Sequence, residues 1–241
     1  MKVLNLLSLF AVTTALADPI KVAVIDTGMD PVSASRINLC KDGHKDFSGR
    51  GIKDTHGHGT HIAGIITRNA GMNDKYCIVV VKYYDERASG YENLENLISS
   101  VNYAVDEGVK FINISGGGPE GSSSEARAIK RALDAGIIIV AAAGNNGLRL
   151  STGTIYETIT GRKLSGDYYP AMYDSRIYVV GNLQKNLEPN LSSNHGPLVR
   201  YWEVGTSVEA ESLGGRTEFL TGTSQAAAIK TGKLVKDMIT R

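Results

Sequence analysis

Five short apolar runs, rich in β-branched residues, recur along the chain: IKVAVI at 20–25, CIVVVK at 77–82, VKFINI at 109–114, GIIIVA at 136–141 and IYVV at 177–180. Nearly unbroken hydrophobicity is what a strand needs when helices cover both faces of a parallel sheet. Helical patterns lie between the runs. Residues 91–107 place Leu94, Leu97, Ile98, Val101 and Val105 on one face, and Gly108 follows as a stop. A second helix opens on Ser122-Ser-Ser-Glu125, a capping-box pattern, continues through Ala126, Ile129, Ala132 and Leu133, and stops at Gly136. Strand and helix in alternation imply right-handed βαβ units, hence an α/β fold: three α/β/α layers around a mostly parallel central sheet. Past residue 181 the pattern turns irregular, but no repeat or linker divides the chain. With 241 residues, 42% of them apolar, one large domain with a single core accommodates it.

The first 17 residues, MKVLNLLSLFAVTTALA, stand apart. One lysine, an apolar run too short to span a bilayer and a final Ala-Leu-Ala read as a signal peptide cleaved after Ala17. The expected mature domain is 18–241, secreted or periplasmic, with no later stretch apolar enough to hold it in a membrane. A formal net charge of +1, with acids and bases interspersed, argues against a nucleic-acid partner. The chain has two cysteines, Cys40 and Cys77. In an exported protein they favour a disulfide over two separate buried thiols.

In doubly wound sheets functional groups gather at the carboxyl ends of strands. The run at 20–25 ends in Asp26, either a functional carboxylate or a turn residue. The run at 109–114 ends in Ser115-Gly116-Gly117-Gly118-Pro119, whose bare backbone could pair with an extended peptide. No Gly-Lys-Ser/Thr follows, which weakens a phosphate cradle. The run at 136–141 leads to Gly144-Asn145, where an amide donor or a plain turn is available. Ser224, in GTSQAAA, opens an Ala-rich helix as a cap or as a nucleophile. His56, His58 and His61 crowd into DTHGHGTH after Asp54. They lack the i, i+4 spacing with an intervening Glu that a zinc helix needs, and no Cys or Glu lies beside them as a further ligand.

Asp, then His, then Ser is one known chain order for a Ser-His-Asp triad. AVIDTGMD, HGTHIAG and GTSQAAA resemble the three signature blocks of the subtilisin-like serine protease family, and INISGGGP and AAAGN resemble two of its secondary blocks. The resemblance covers residues 20 to 232 and implies a subtilisin-like fold. It makes Asp26, His58 and Ser224 the triad, Asn145 and the Ser224 amide the oxyanion donors, and Ser115, Gly116, Gly117 and Gly144 the substrate-binding backbone. His61 then packs beside the site, and His56, like His44 and His195, has no family role. The substrate is a polypeptide, and the Tyr169–Pro170 bond is expected to be cis. The strands around 39–47 and 77–82 are neighbours in this fold, so a Cys40–Cys77 bridge would join them. The floor of the specificity pocket is expected in the divergent stretch 151–167.

The chain also departs from the family. Cleavage after Ala17 leaves no room for a propeptide, which leaves open an external inhibitor or chaperone. The short loop 68–74 lacks the usual calcium-binding insertion, so no metal or cofactor is expected. The usual Pro after the nucleophile is missing from Gln225-Ala-Ala-Ala228. Two other activities remain open: a catalytically silent binding protein on the same scaffold, and an esterase or peptide ligase using the same acyl-enzyme.

Overall fold

A computed structural model describes residues 18–151 and 165–241. The leader at 1–17 and most of the stretch assigned to the pocket floor fall outside the described residues. In chain order the elements are β1 (Ile20–Asp26), β2 (Lys45–Asp46), α1 (His58–Ala70), β3 (Tyr76–Lys82), α2 (Gly90–Asp106), β4 (Phe111–Ile114), α3 (Ser123–Asp134) and β5 (Ile138–Ala142). Then come β6 (Arg149–Leu150), β7 (Ser165–Gly166), β8 (Tyr178–Asn182), β9 (Tyr201–Glu203), β10 (Val208–Glu211), β11 (Thr217–Leu220) and α4 (Thr223–Ile239).

Seven strands form the central sheet in the order β2-β3-β1-β4-β5-β8-β9, and every neighbouring pair in it is parallel. Alternate side chains of β1 feed opposite layers. Ala23 and Ile25 pack with Leu97, Val101 and Ile129 of α2 and α3. Val22 and Val24 pack with Ile62, Ile65, Ile66, Ala228 and Val235 of α1 and α4. Burial on both faces is why the strands read as continuous apolar runs. β10 and β11 make an antiparallel hairpin, and β6 and β7 a short parallel pair.

The capping pattern at Ser122 forms only in half. Ser122 Oγ accepts from the Glu125 amide at 3.0 Å, but the Glu125 carboxyl turns inward to accept from Tyr173 Oη at 2.7 Å. The reciprocal box sits instead on α2, where Ser89 and Glu92 each accept the other's amide proton.

The edge strand expected around 39–47 is broken. Leu39 bridges to Ile78, and pairing resumes only at Lys45 and Asp46. Between them the chain turns through Gly43 at φ 80°, a left-handed value that favours glycine. The His44 ring fills the gap: Val80 N–H donates to its Nδ1 at 3.0 Å, and its Nε2 donates to the Cys40 carbonyl at 3.0 Å.

Cys40 and Cys77 are joined across this edge, closing a loop 37 residues apart in sequence. In the chain-entropy picture a loop of that length contributes roughly 4 kcal/mol through the unfolded state. Replacing both cysteines by Ala should lower Tm by roughly 8–16 °C. Thermal melts of the two proteins check this, and equal melting temperatures would show that the bridge adds nothing.

Candidate active site

β1 has both β3 and β4 as neighbours, so the direction of strand addition reverses between β1 and β4. That is where an open α/β sheet leaves a crevice at its carboxyl edge. The register sets Ile25 beside Ile114, so Asp26 and Ser115 leave the sheet side by side.

His58 is the first residue of α1. Its Nδ1 lies 2.7 Å from Asp26 Oδ1, an oxygen that also accepts from the Thr27 amide at 2.8 Å. Burial alone would lower the His58 pKa. The Asp26 charge and hydrogen bond, helped by Asp54, outweigh it and hold the imidazole above its ordinary value.

The backbone before α1 is held by a residue to which sequence reasoning gave no role. Asp54 is 1% exposed. Its Oδ1 accepts from Thr27 Oγ1 (2.9 Å), the His56 amide (3.0 Å) and the Gly57 amide (2.8 Å). Its Oδ2 accepts from the amide (3.0 Å) and hydroxyl (2.7 Å) of Thr60. Thr27 Oγ1 in turn accepts from the Gly59 amide at 2.8 Å. The Gly59 and Thr60 N–H groups of the first helical turn are thereby used, and a carboxylate sits where the helix dipole favours one. Burial pushes the Asp54 pKa up, but these hydrogen bonds prevail and keep it below its ordinary value. Gly59 makes the fit possible, since a Cβ there would stand 2.6 Å from the Gly28 carbonyl oxygen. The available signal was a carboxylate three residues before a glycine at a helix start.

Ser224 is the second residue of α4. Its hydroxyl donates to the Ser115 carbonyl at 2.9 Å, while Ser115 Oγ donates to the Ser224 carbonyl at 3.1 Å. The Ser224 hydroxyl thus faces Ser115 rather than His58. A buried polar ladder continues inward. Asn113 Nδ2 donates to Ser115 Oγ at 3.0 Å, and Thr231 Oγ1 donates to Asn113 Oδ1 at 2.8 Å. These bonds fix the height of α4 over the end of β4.

Asn145 follows β5. Its Oδ1 accepts from the Thr223 amide at 2.9 Å and the Thr223 hydroxyl at 3.2 Å. That leaves Nδ2 as the free donor, next to Gly222 at the start of α4. Asn194, fully buried, shapes this turn: its Nδ2 donates to the Ala143 carbonyl at 2.7 Å, and its Oδ1 accepts from the amides of Asn146 and Leu148. Gly144 N–H donates to Thr223 Oγ1 at 3.1 Å. Gly116 is half-buried and Gly117 exposed beyond β4, and Gly118 exchanges two backbone hydrogen bonds with Tyr169, whose bond to Pro170 is cis as expected.

The other two histidines of that stretch differ in burial. His56 is exposed, its ring 6.1 Å from that of His58. His61 is buried and donates from Nε2 to the Glu218 carbonyl at 3.2 Å. Burial lowers its pKa. Five residues, 71–75, separate α1 from β3, and Asn73 spends its polar atoms there on Gly71, Lys75 and Asn38. Among the described residues no cluster of three His, Cys, Asp or Glu is placed to hold a metal ion, and no helix is long and apolar enough to cross a membrane.

The family model described as the Subtilase family matches residues 17–236. Subtilisin DY of Bacillus licheniformis is 32% identical over 216 residues, covering 86% of this chain and 72% of that protein. The thermostable alkaline protease of Halalkalibacterium halodurans is 33% identical over 217 residues, covering 86% of this chain and 53% of that one. Among solved structures, MycP1 with its N-terminal propeptide removed aligns with a TM-score of 0.68 at 27% identity, covering 88% of this chain and 75% of that chain. The chain thus spans from about half to three quarters of the length of these relatives.

Proposed function

The chain belongs to the subtilase family, and from that premise we propose that it is an exported serine endopeptidase whose acyl transfer is carried by Ser224, His58 and Asp26. The observation that carries the reading is the 2.7 Å contact between Asp26 Oδ1 and His58 Nδ1 at the switch point of the sheet. Asp26 fixes the tautomer that leaves Nε2 free as an acceptor and stabilises the imidazolium once it forms. His58 takes the Ser224 proton as Oγ bonds to the scissile carbonyl carbon. It returns that proton to the leaving amine as the C–N bond breaks, and a water molecule then releases the acyl group by the same route. The oxyanion is received by Asn145 Nδ2 and the Ser224 amide. Ser115, Gly116 and Gly117 pair with the substrate backbone as an added strand, and Gly144 closes the opposite side. Acyl transfer of this kind needs no cofactor.

The Ser224 hydroxyl must exchange the Ser115 carbonyl for His58 before it attacks. Such bonds are commonly unmade in an empty site and close with substrate. Export rests on the leader 1–17, which would leave 18–241 as the catalytic domain.

The test is labelling by a serine-directed fluorophosphonate, read by intact mass and peptide mapping across pH. One adduct on Ser224, lost in His58→Ala, is expected. Only neutral His58 accepts the proton, so the labelling rate should rise with pH around a midpoint above the ordinary histidine value of about 6.5. Stability runs the other way. A raised His58 pKa stabilises the fold fully below about 6.5, and that contribution fades as pH climbs through the folded value. A folded sample that takes no adduct at any pH would sink the peptidase and favour a silent binding protein.

A further inference from the structure

The two glycines that flank the attack site face each other across one aromatic ring. A Cβ on Gly144 would stand 2.8 Å from both Cδ2 and Cε2 of Tyr168. A Cβ on Gly117 would stand 2.9 Å from Cε1 of the same ring and 3.1 Å from Cζ. Opposite edges of the ring therefore touch the two loops, and the ring spans the gap between them. It fits there only because neither loop carries a side chain at that point. Its backbone is anchored: Tyr168 N–H reaches Met172 Sδ at 3.1 Å, and the next residue exchanges hydrogen bonds of 2.8 and 3.0 Å with Gly118. The burial of the ring pushes the phenol pKa up.

The gap adjoins the reacting atoms. Gly117 lies two residues beyond Ser115, whose carbonyl holds the Ser224 hydroxyl, and Gly144 immediately precedes Asn145. A substrate strand paired along 115–117, with its carbonyl at Ser224, directs into this gap the side chain of the residue that supplies the scissile carbonyl. We propose that Tyr168 is the specificity-determining residue of this site, filling the gap between Gly117 and Gly144 so that the protein cleaves after small residues, Gly, Ala or Ser, and rejects large ones.

The inference rests on the peptidase reading and assigns its substrate class. It also adds a determinant in the residue that follows the divergent stretch 151–167. An added methylene in a pocket with free space alters kcat/KM by about 10–200-fold, and a ring forced against a ring stands at the upper end of that range.

The experiment uses the mature protein, titrated with fluorophosphonate, and fluorogenic peptides that differ only before the scissile amide: Gly, Ala, Ser, Leu, Phe or Lys. The small residues should exceed Leu, Phe and Lys by about 100-fold in kcat/KM. Tyr168→Gly should raise the Phe-to-Ala ratio by a similar factor, whereas Tyr168→Phe, which keeps the ring, should leave the restriction in place. Titrated wild-type protein that cleaves after Phe as readily as after Ala overturns the proposal, because the ring then moves aside. A folded Tyr168→Gly protein with an unchanged ratio overturns it as well. Failure of the peptidase reading is distinguishable, since Ser224 would then not titrate at all.

Discussion

Ser224→Ala should lower kcat on a good peptide substrate by about 10⁶, and His58→Ala by about as much, while the double variant should lose little more than either alone. The magnitude is one that subtilisins themselves set. The non-additivity has a physical origin: attack by Oγ and removal of its proton are one event, so deleting either partner deletes that event. Asp26→Ala should cost less, about 10⁴, because a neutral imidazole remains to accept a proton. The activity left over comes from the Asn145 and Ser224 amide donors, which still bind a developing oxyanion. Single-substrate kinetics on purified, folded variants measure this. Because the Ser224 hydroxyl donates to Ser115 in the empty site, His58→Ala is the most informative of the three. If it cost less than about 100-fold, the base would not be His58.

The layer structure was legible because both faces of β1, β3, β4 and β5 are buried, and such strands can only be written in unbroken apolar letters. Asp26, His58, Ser224 and Asn145 were legible for a related reason: each follows a strand or opens a helix, so its position along the chain predicts its place in the fold. Features that depend on contacts across long stretches of sequence were not. Asn194 shapes the turn after β5 from 48 and 46 residues away, through Asn146 and Leu148, and Thr231 reaches Asn113 across 118 residues. The broken edge strand was missed for a different reason. A continuous strand over 39–47 was implied by the family resemblance and not by its own residues, which are mostly Lys, Asp and Gly; Gly43 turns the chain away and the His44 ring takes over a ladder bond that backbone would ordinarily make. Tyr168 escaped notice because a tyrosine before Tyr-Pro carries no motif; its meaning arises only when Gly117 and Gly144 close on the ring.

Asp54→Ala should destabilise the protein by about 5 kcal/mol and lower Tm by roughly 10–20 °C. Five donors converge on this carboxylate inside a region with almost no access to water, and truncation leaves them unpaired at about 1–3 kcal/mol each, less whatever the loop regains by relaxing. Asp54→Asn keeps the shape but points an NH₂ at groups that are themselves donors, so about half of that loss should remain. The pH dependence separates a charged hub from a packing role. The Asp54 pKa is held down in the fold, so its contribution is present above the ordinary carboxylate value of 3.8 and is lost as pH falls through the lower folded value. Asp54→Asn should therefore flatten the fall in stability on the acid side of about pH 4. The same charge raises the His58 pKa, so the midpoint of Ser224 labelling should move to lower pH in this variant. Thermal melts across pH, paired with labelling rates, read both effects. An Asp54→Ala protein that melts within about 3 °C of the wild type would mean that water re-satisfies the donors, leaving the first turn of α1 to stand without its carboxylate.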